Sequence, residues 1–215
     1  MKVRLTIAPM APRTLIRSFF LALAMVCLGL YSYDYVERAL YQAYESREFD
    51  RTLDRGAVAV TAAHHTPVGR VELPARGALI GRLSVPRLNL SAMVREGIDQ
   101  KTLKLAIGHI PATALPGQAG NIGVAGHRDT FFRGLKDLKT GDEIHFSTLS
   151  GEFQYEVESL LVVDPDNAGA LAPSAENVLT MVTCFPFYYV GAAPKRFVVR
   201  ARQMPPPTLA RSGVK

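Results

Sequence analysis

Cys184, His127 and Arg196 are the side chains whose chemistry one catalytic site could combine. A thiolate is a strong nucleophile, and an imidazole can hold and return a proton. A guanidinium supplies fixed positive charge where an oxyanion develops. Cys184 closes the run Val178-Leu179-Thr180-Met181-Val182-Thr183-Cys184 and is the only cysteine outside the N-terminal apolar segment, which holds Cys27. One cysteine and a distant histidine form a weak signal by themselves, because free cysteine is among the most buried residue types. Read alone, the segment is a buried strand with an inert thiol.

Elements must bring these residues together. The β-branched and aliphatic run ending at Cys184 predicts a strand, and Pro186 cannot continue a central ladder, so the thiol sits at the strand's mouth. Asn121-Ile122-Gly123-Val124-Ala125-Gly126 predicts a small apolar strand that delivers His127 and Arg128. Arg196-Phe197-Val198-Val199-Arg200-Ala201 predicts the last strand. Arg128 and Arg200 compete with Arg196 for a catalytic role, Arg200 by sharing its strand face at period two. Further strands are expected over residues 78–85, 88–94, 143–146 and 153–163, the last with strong apolar-polar alternation. Lys101–Ala106 predicts a short helix, and Asp129–Leu138 a helical turn with Phe131, Phe132, Leu135 and Leu138 inward. Many short strands and few helices imply a mainly β fold, a barrel or a sandwich.

The remainder of the 215 residues bounds the class. A hydrophobic content of 48% with 20% charged residues describes a folded chain. The net charge of +6 is dispersed, without the basic run and aromatic platforms of a nucleic-acid binder. Two cysteines in regions expected to lie in different phases exclude a disulfide framework, and no zinc spacing exists. Lys2, Arg4, Arg13 and Arg17 precede an uncharged run from Ser18 to Tyr33, while Asp34 and Glu37 follow it. A cleaved signal peptide and a signal-anchor helix compete here. The absence of a small-x-small cleavage pair, together with Tyr31, Tyr33 and Tyr35 at the far end, favours a single-pass anchor with a cytoplasmic N-terminus. The organisation read from the chain is a basic cytoplasmic tip (1–14), a transmembrane helix (15–36), a helical stalk and linker (37–76), a catalytic β domain (77–203) and a flexible tail (204–215). His64 and His65 read as a solvated linker pair, and His109 and His145 as surface or internally satisfied histidines. The acidic pairs Asp142/Glu143 and Asp164/Asp166 read as solvated turns, with calcium binding as the alternative.

Gly126-His127-Arg128-Asp129-Thr130-Phe131-Phe132, Met181-Val182-Thr183-Cys184 and Arg196-Phe197-Val198-Val199 together resemble the histidine, cysteine and arginine segments of the sortases. The block from Thr183 to Arg196 is most similar to class D members. Met181 stands where the family signature has leucine, a volume-conserving exchange. The resemblance spans roughly residues 77–203 and implies an eight-stranded β-barrel. It implies a membrane-anchored cysteine transpeptidase that cuts a Leu-Pro-x-Thr-Gly/Ala-like motif through a thioacyl intermediate and passes the acyl group to an amine. Cys184 is then the nucleophile, His127 the acid and base, Arg196 the oxyanion and substrate holder, and Thr183 a substrate-binding position. The implied partners are proteins with a C-terminal sorting motif, an amine on cell-wall peptide or pilin, and membrane lipid; no cofactor is required. Two other readings remain from the residues: a hydrolytic cysteine protease and a non-catalytic anchored β domain.

Overall fold

The computed structural model describes residues 12–60 and 73–205. The linker pair His64-His65 and the chain beyond Pro205 lie outside them. The chain divides into two compact units, Met1–Leu40 and Tyr41–Lys215. Helix α1 spans Pro12–Val60. In the first unit it exposes Leu15, Phe19, Phe20, Met25 and Leu30, and it is long and apolar enough to cross a membrane by length and composition. Exposed apolar side chains around a whole helix have no aqueous partner to satisfy them and suit a lipid surroundings.

The second unit holds β1 (Leu79–Val85), β2 (Leu90–Glu96), α2 (Gln100–Leu105), β3 (Ile107–His109), β4 (Asn121–Ala125), β5 (Glu143–Thr148), β6 (Gly151–Val163), β7 (Val178–Phe185) and β8 (Lys195–Gln203). The strands close into a barrel in the order β1-β2-β3-β4-β7-β8-β6-β5, with β5 returning to β1. Closure removes the unpaired edges that an open sheet would expose. Two pairings are parallel, β2 with β3 and β4 with β7; the second sets the histidine and cysteine segments side by side, running the same way. Alternate residues of each strand fill the interior. Leu83, Val124, Phe146, Leu179, Met181 and Val199 are among the fully buried members of one cluster.

Three features differ from the sequence expectation. Ile107–His109 is a strand of three residues, too short to carry a readable alternation, and it supplies the eighth strand. Residues 129–138 form a 3₁₀ turn only over Arg133–Asp137, with Phe132, Leu135 and Leu138 buried as anticipated. The helical stalk is not a free rod from Tyr41 onward. The Gln42 side chain accepts from the Met93 N–H at 2.9 Å and donates to the Leu105 carbonyl at 2.7 Å. Glu45 pairs with Arg95 at 3.2 Å and Asp50 with Arg82 at 2.6 Å. Phe49 is 2% exposed, with the Arg82 guanidinium 5.1 Å from its ring centre. One stripe of the helix is therefore docked on β1 and β2.

Candidate active site

β7 is buried throughout Val178–Met181 and partly exposed toward Cys184 and Phe185. Leu179 and Met181 belong to the core cluster, so Thr180, Val182 and Cys184 take the opposite face. On β8, Val199 and Ala201 point into the core while Arg196, Val198 and Arg200 take the outer face. The register pairs Cys184 directly with Arg196. Side chains so paired on one face have their Cβ atoms about 5 Å apart. On the other flank, Ala125 of β4 pairs with Val182, and the Gly126 N–H donates to the Val182 carbonyl at 3.2 Å. Two residues further along each chain stand His127 and Cys184. The barrel thus brings His127, Cys184 and Arg196 to the ends of three consecutive strands, and each is partly exposed.

Local packing explains the small residues before the histidine. A Cβ on Gly126 would lie 2.8 Å from the Phe132 ring, closer than side chains pack. The His127 carbonyl accepts from the Phe132 N–H at 3.1 Å, so the chain turns immediately after the histidine. Below the site, Asn121 accepts from the Thr180 hydroxyl at 2.7 Å and donates to the carbonyls of Ala170 and Ala172, each at 3.2 Å. These bonds hold the loop between β6 and β7 against the Asn121 end of the β4–β7 ladder.

Thr183, expected at a substrate-binding position, is engaged within the protein. It is 3% exposed, and its hydroxyl donates to the Gly126 carbonyl at 2.7 Å. Period two turns it away from the face of Cys184, and its bond ties the cysteine strand to the residue before His127. Arg196 donates through Nη1 to the carbonyls of Ala193 and Lys195, at 3.2 and 3.0 Å. Arg200, lower on the same face, lies 3.6 Å from Glu158 and is occupied in an ion pair away from the thiol's level. Arg128 points into the loop between β7 and β8, where it meets backbone carbonyls.

The other titratable candidates have internal partners. His109 is 2% exposed, with Nδ1 2.6 Å from a Glu96 carboxylate oxygen and Nε2 2.9 Å from the Ala114 carbonyl. His145 pairs with Glu152 at 2.8 Å. Asp142 accepts from Arg87 at 2.6 Å and from the Lys139 N–H at 2.7 Å, and Asp164 accepts from Lys195 at 2.6 Å. Asp142 and Asp164, of the acids considered for calcium, are therefore engaged with basic side chains. Among the described residues no group of three or more His, Cys, Asp or Glu side chains is placed to hold a metal.

Comparison with known proteins identifies the family and the fold. The family model described as Sortase domain matches residues 83–204. Sortase D of Bacillus subtilis (strain 168) is 35% identical over 132 residues, which cover 61% of this chain and 67% of that protein. Among solved structures, a Clostridium perfringens Sortase D5 transpeptidase superposes with a TM-score of 0.61 at 25% identity, covering 78% of this chain and 98% of the other. The SrtA sortase from Actinomyces oris superposes with a TM-score of 0.57 at 27% identity, covering 71% and 100%.

Proposed function

The chain belongs to the sortase family, and from that premise we propose that it is a membrane-anchored cysteine transpeptidase with Cys184, His127 and Arg196 as its catalytic residues. The observation that carries this reading is the register around the thiol. Arg196 lies directly opposite Cys184, and His127 follows two residues beyond the Ala125–Val182 pair, just past the end of the other neighbouring strand.

The proposed chemistry has two balanced halves. The Cys184 thiolate adds to the carbonyl carbon of the threonine in a Leu-Pro-x-Thr-Gly/Ala-like motif. As the tetrahedral intermediate collapses, the C–N bond breaks, and His127 gives its proton to the departing amine. The product is a thioester between Cys184 and the threonine carbonyl. An incoming amine then loses a proton to His127 as its nitrogen bonds to that carbon, and the C–S bond breaks to return the thiolate. Arg196 stabilises the oxyanion in both halves. Among the described residues its Nη1 alone donates to loop carbonyls, and a guanidinium carries five N–H donors in all. Thr183 acts indirectly, by fixing Gly126 and hence the backbone entering His127.

In this reading α1 anchors the enzyme as a single span with a cytoplasmic N-terminus, and the barrel works outside the membrane on proteins bearing a C-terminal sorting motif. The acceptor amine belongs to cell-wall peptide or a pilin lysine. Incubating the full chain in detergent with a sorting-motif peptide and an amine tests the activity. Cleavage after threonine and amine-linked product are expected in the wild type, with both lost in Cys184→Ala and His127→Ala. Acid product alone, unaffected by the amine, would identify a hydrolase instead.

A further inference from the structure

Arg128 is adjacent to His127, yet its contacts are with the far side of the site. Its Nη1–H donates to the Pro186 carbonyl at 2.8 Å, and its Nη2–H donates to the carbonyls of Tyr189 and Gly191 at 2.5 and 3.3 Å. The guanidinium carbon also lies 5.8 Å from the centre of the Tyr189 ring. One side chain from the histidine loop thus holds three carbonyls of the segment that follows Cys184. That segment gains little from packing at its tip, where Tyr188 is 79% and Val190 99% exposed. Its fixed points include the Phe187 ring against Phe197 at 5.2 Å, the Lys136 hydrogen bond to Tyr188, the Arg196 bonds to Ala193 and Lys195, and Arg128. An exposed segment with few apolar contacts keeps one conformation only where hydrogen bonds hold it. A planar fork of fixed donors suits several carbonyls converging on one side, which a lysine point charge cannot serve equally.

We propose that Arg128 is a positioning residue for the transpeptidation, clamping the β7–β8 loop as a preformed wall of the groove that receives the acyl-donor peptide beside Cys184. The role rests on the functional reading above and adds to it a determinant of peptide binding. Arg128 donates to loop carbonyls, not to reacting atoms, so it acts through the loop. Of the carbonyls it releases on substitution, those of Tyr189 and Gly191 lie on an exposed segment where water can replace the donor. Its loss therefore loosens the loop without unfolding the barrel.

The test compares wild type, Arg128→Gln and Arg128→Lys as full chains in detergent. Three quantities are measured: steady-state transfer from a sorting-motif peptide to an amine, alkylation of Cys184 by iodoacetamide, and amide hydrogen exchange. For Arg128→Gln the expected result is a fall in kcat/KM of about tenfold carried mainly by KM, because a misplaced binding wall costs substrate positioning. Exchange at residues 187–193 should quicken, while exchange in β4, β7 and β8, the melting temperature and the alkylation rate stay near wild type. Arg128→Lys should lie between the two. An active wild type whose Arg128→Gln variant keeps both its KM and its loop exchange overturns this role alone. A loss of activity that merely tracks a fall in melting temperature also overturns it, in favour of a structural role. An inactive wild type overturns the transpeptidase reading and this role with it.

Discussion

At the scale of single residues, the proposed chemistry depends on side chains that would not touch the substrate. Cys184 and Arg196 are placed by strand pairing, whereas His127 lies just past the end of β4 and needs its own supports. The Thr183 hydroxyl supplies one by donating to Gly126, and the absence of a side chain on Gly126 lets Phe132 pack beneath the turn. Replacing Thr183 by valine keeps the shape and deletes the donor. The buried Gly126 carbonyl then lacks that partner, at a cost of about 1–3 kcal/mol. Thermal unfolding should show this loss, and kcat should fall by about tenfold as the histidine entry loosens. Unchanged kcat in a stable Thr183→Val protein would show that the histidine is positioned by other means. The sequence motif flagged Thr183 without revealing which way it faces; its burial and its bond to the Gly126 carbonyl show that the hydroxyl is held within the protein.

At the scale of elements, α1 and the β5 entrance carry separate predictions. Gln42, Glu45, Ser46, Phe49 and Asp50 recur at helical spacing and form the docked stripe on β1 and β2. A search for apolar periodicity misses such a stripe, because Phe49 is its one large buried apolar member. Phe49→Ala should destabilise the barrel by about 3 kcal/mol, the ordinary consequence of truncating a buried phenylalanine. Circular dichroism melting of the full chain in detergent measures it, and an unchanged melting temperature would mean the helix is not part of the folded unit. At the start of β5, the hydrogen bond from Arg87, followed by that from the Lys139 N–H, holds the Asp142 carboxyl below the usual carboxylate range. A depressed folded value contributes stability above the unfolded pKa of about 3.9, and that contribution is lost as the pH falls through the lower folded value. Arg87→Met should therefore be less stable than wild type near neutral pH, with the difference shrinking in acid. A difference independent of pH would assign the loss to packing of the arginine stem instead.

At the scale of the whole molecule, the proposed catalytic constellation follows from barrel topology. His127, Cys184 and Arg196 are far apart in sequence, and three strands in the order β4-β7-β8 make them neighbours. The ends of these strands were legible because Val178–Cys184 and residues 121–126 are compact apolar runs stopped by Pro186 and by the His127 turn. Closure of the barrel was not legible from periodicity, since Ile107–His109 is too short to register and its parallel pairing with β2 depends on the crossover through α2. The grip of Arg128 on the β7–β8 loop was equally hidden, because its acceptors are backbone carbonyls and any residue type presents one.

The central claim is that Cys184 carries the acyl group between two amines. Intact-mass spectrometry of the full chain, quenched in acid during incubation with a sorting-motif peptide and no amine, tests it most directly. The account predicts a covalent adduct equal in mass to the peptide fragment ending in threonine, mapped to Cys184, absent in Cys184→Ala and discharged when an amine is added. Amine-linked product forming in Cys184→Ala, or an adduct mapped to another residue, would contradict it.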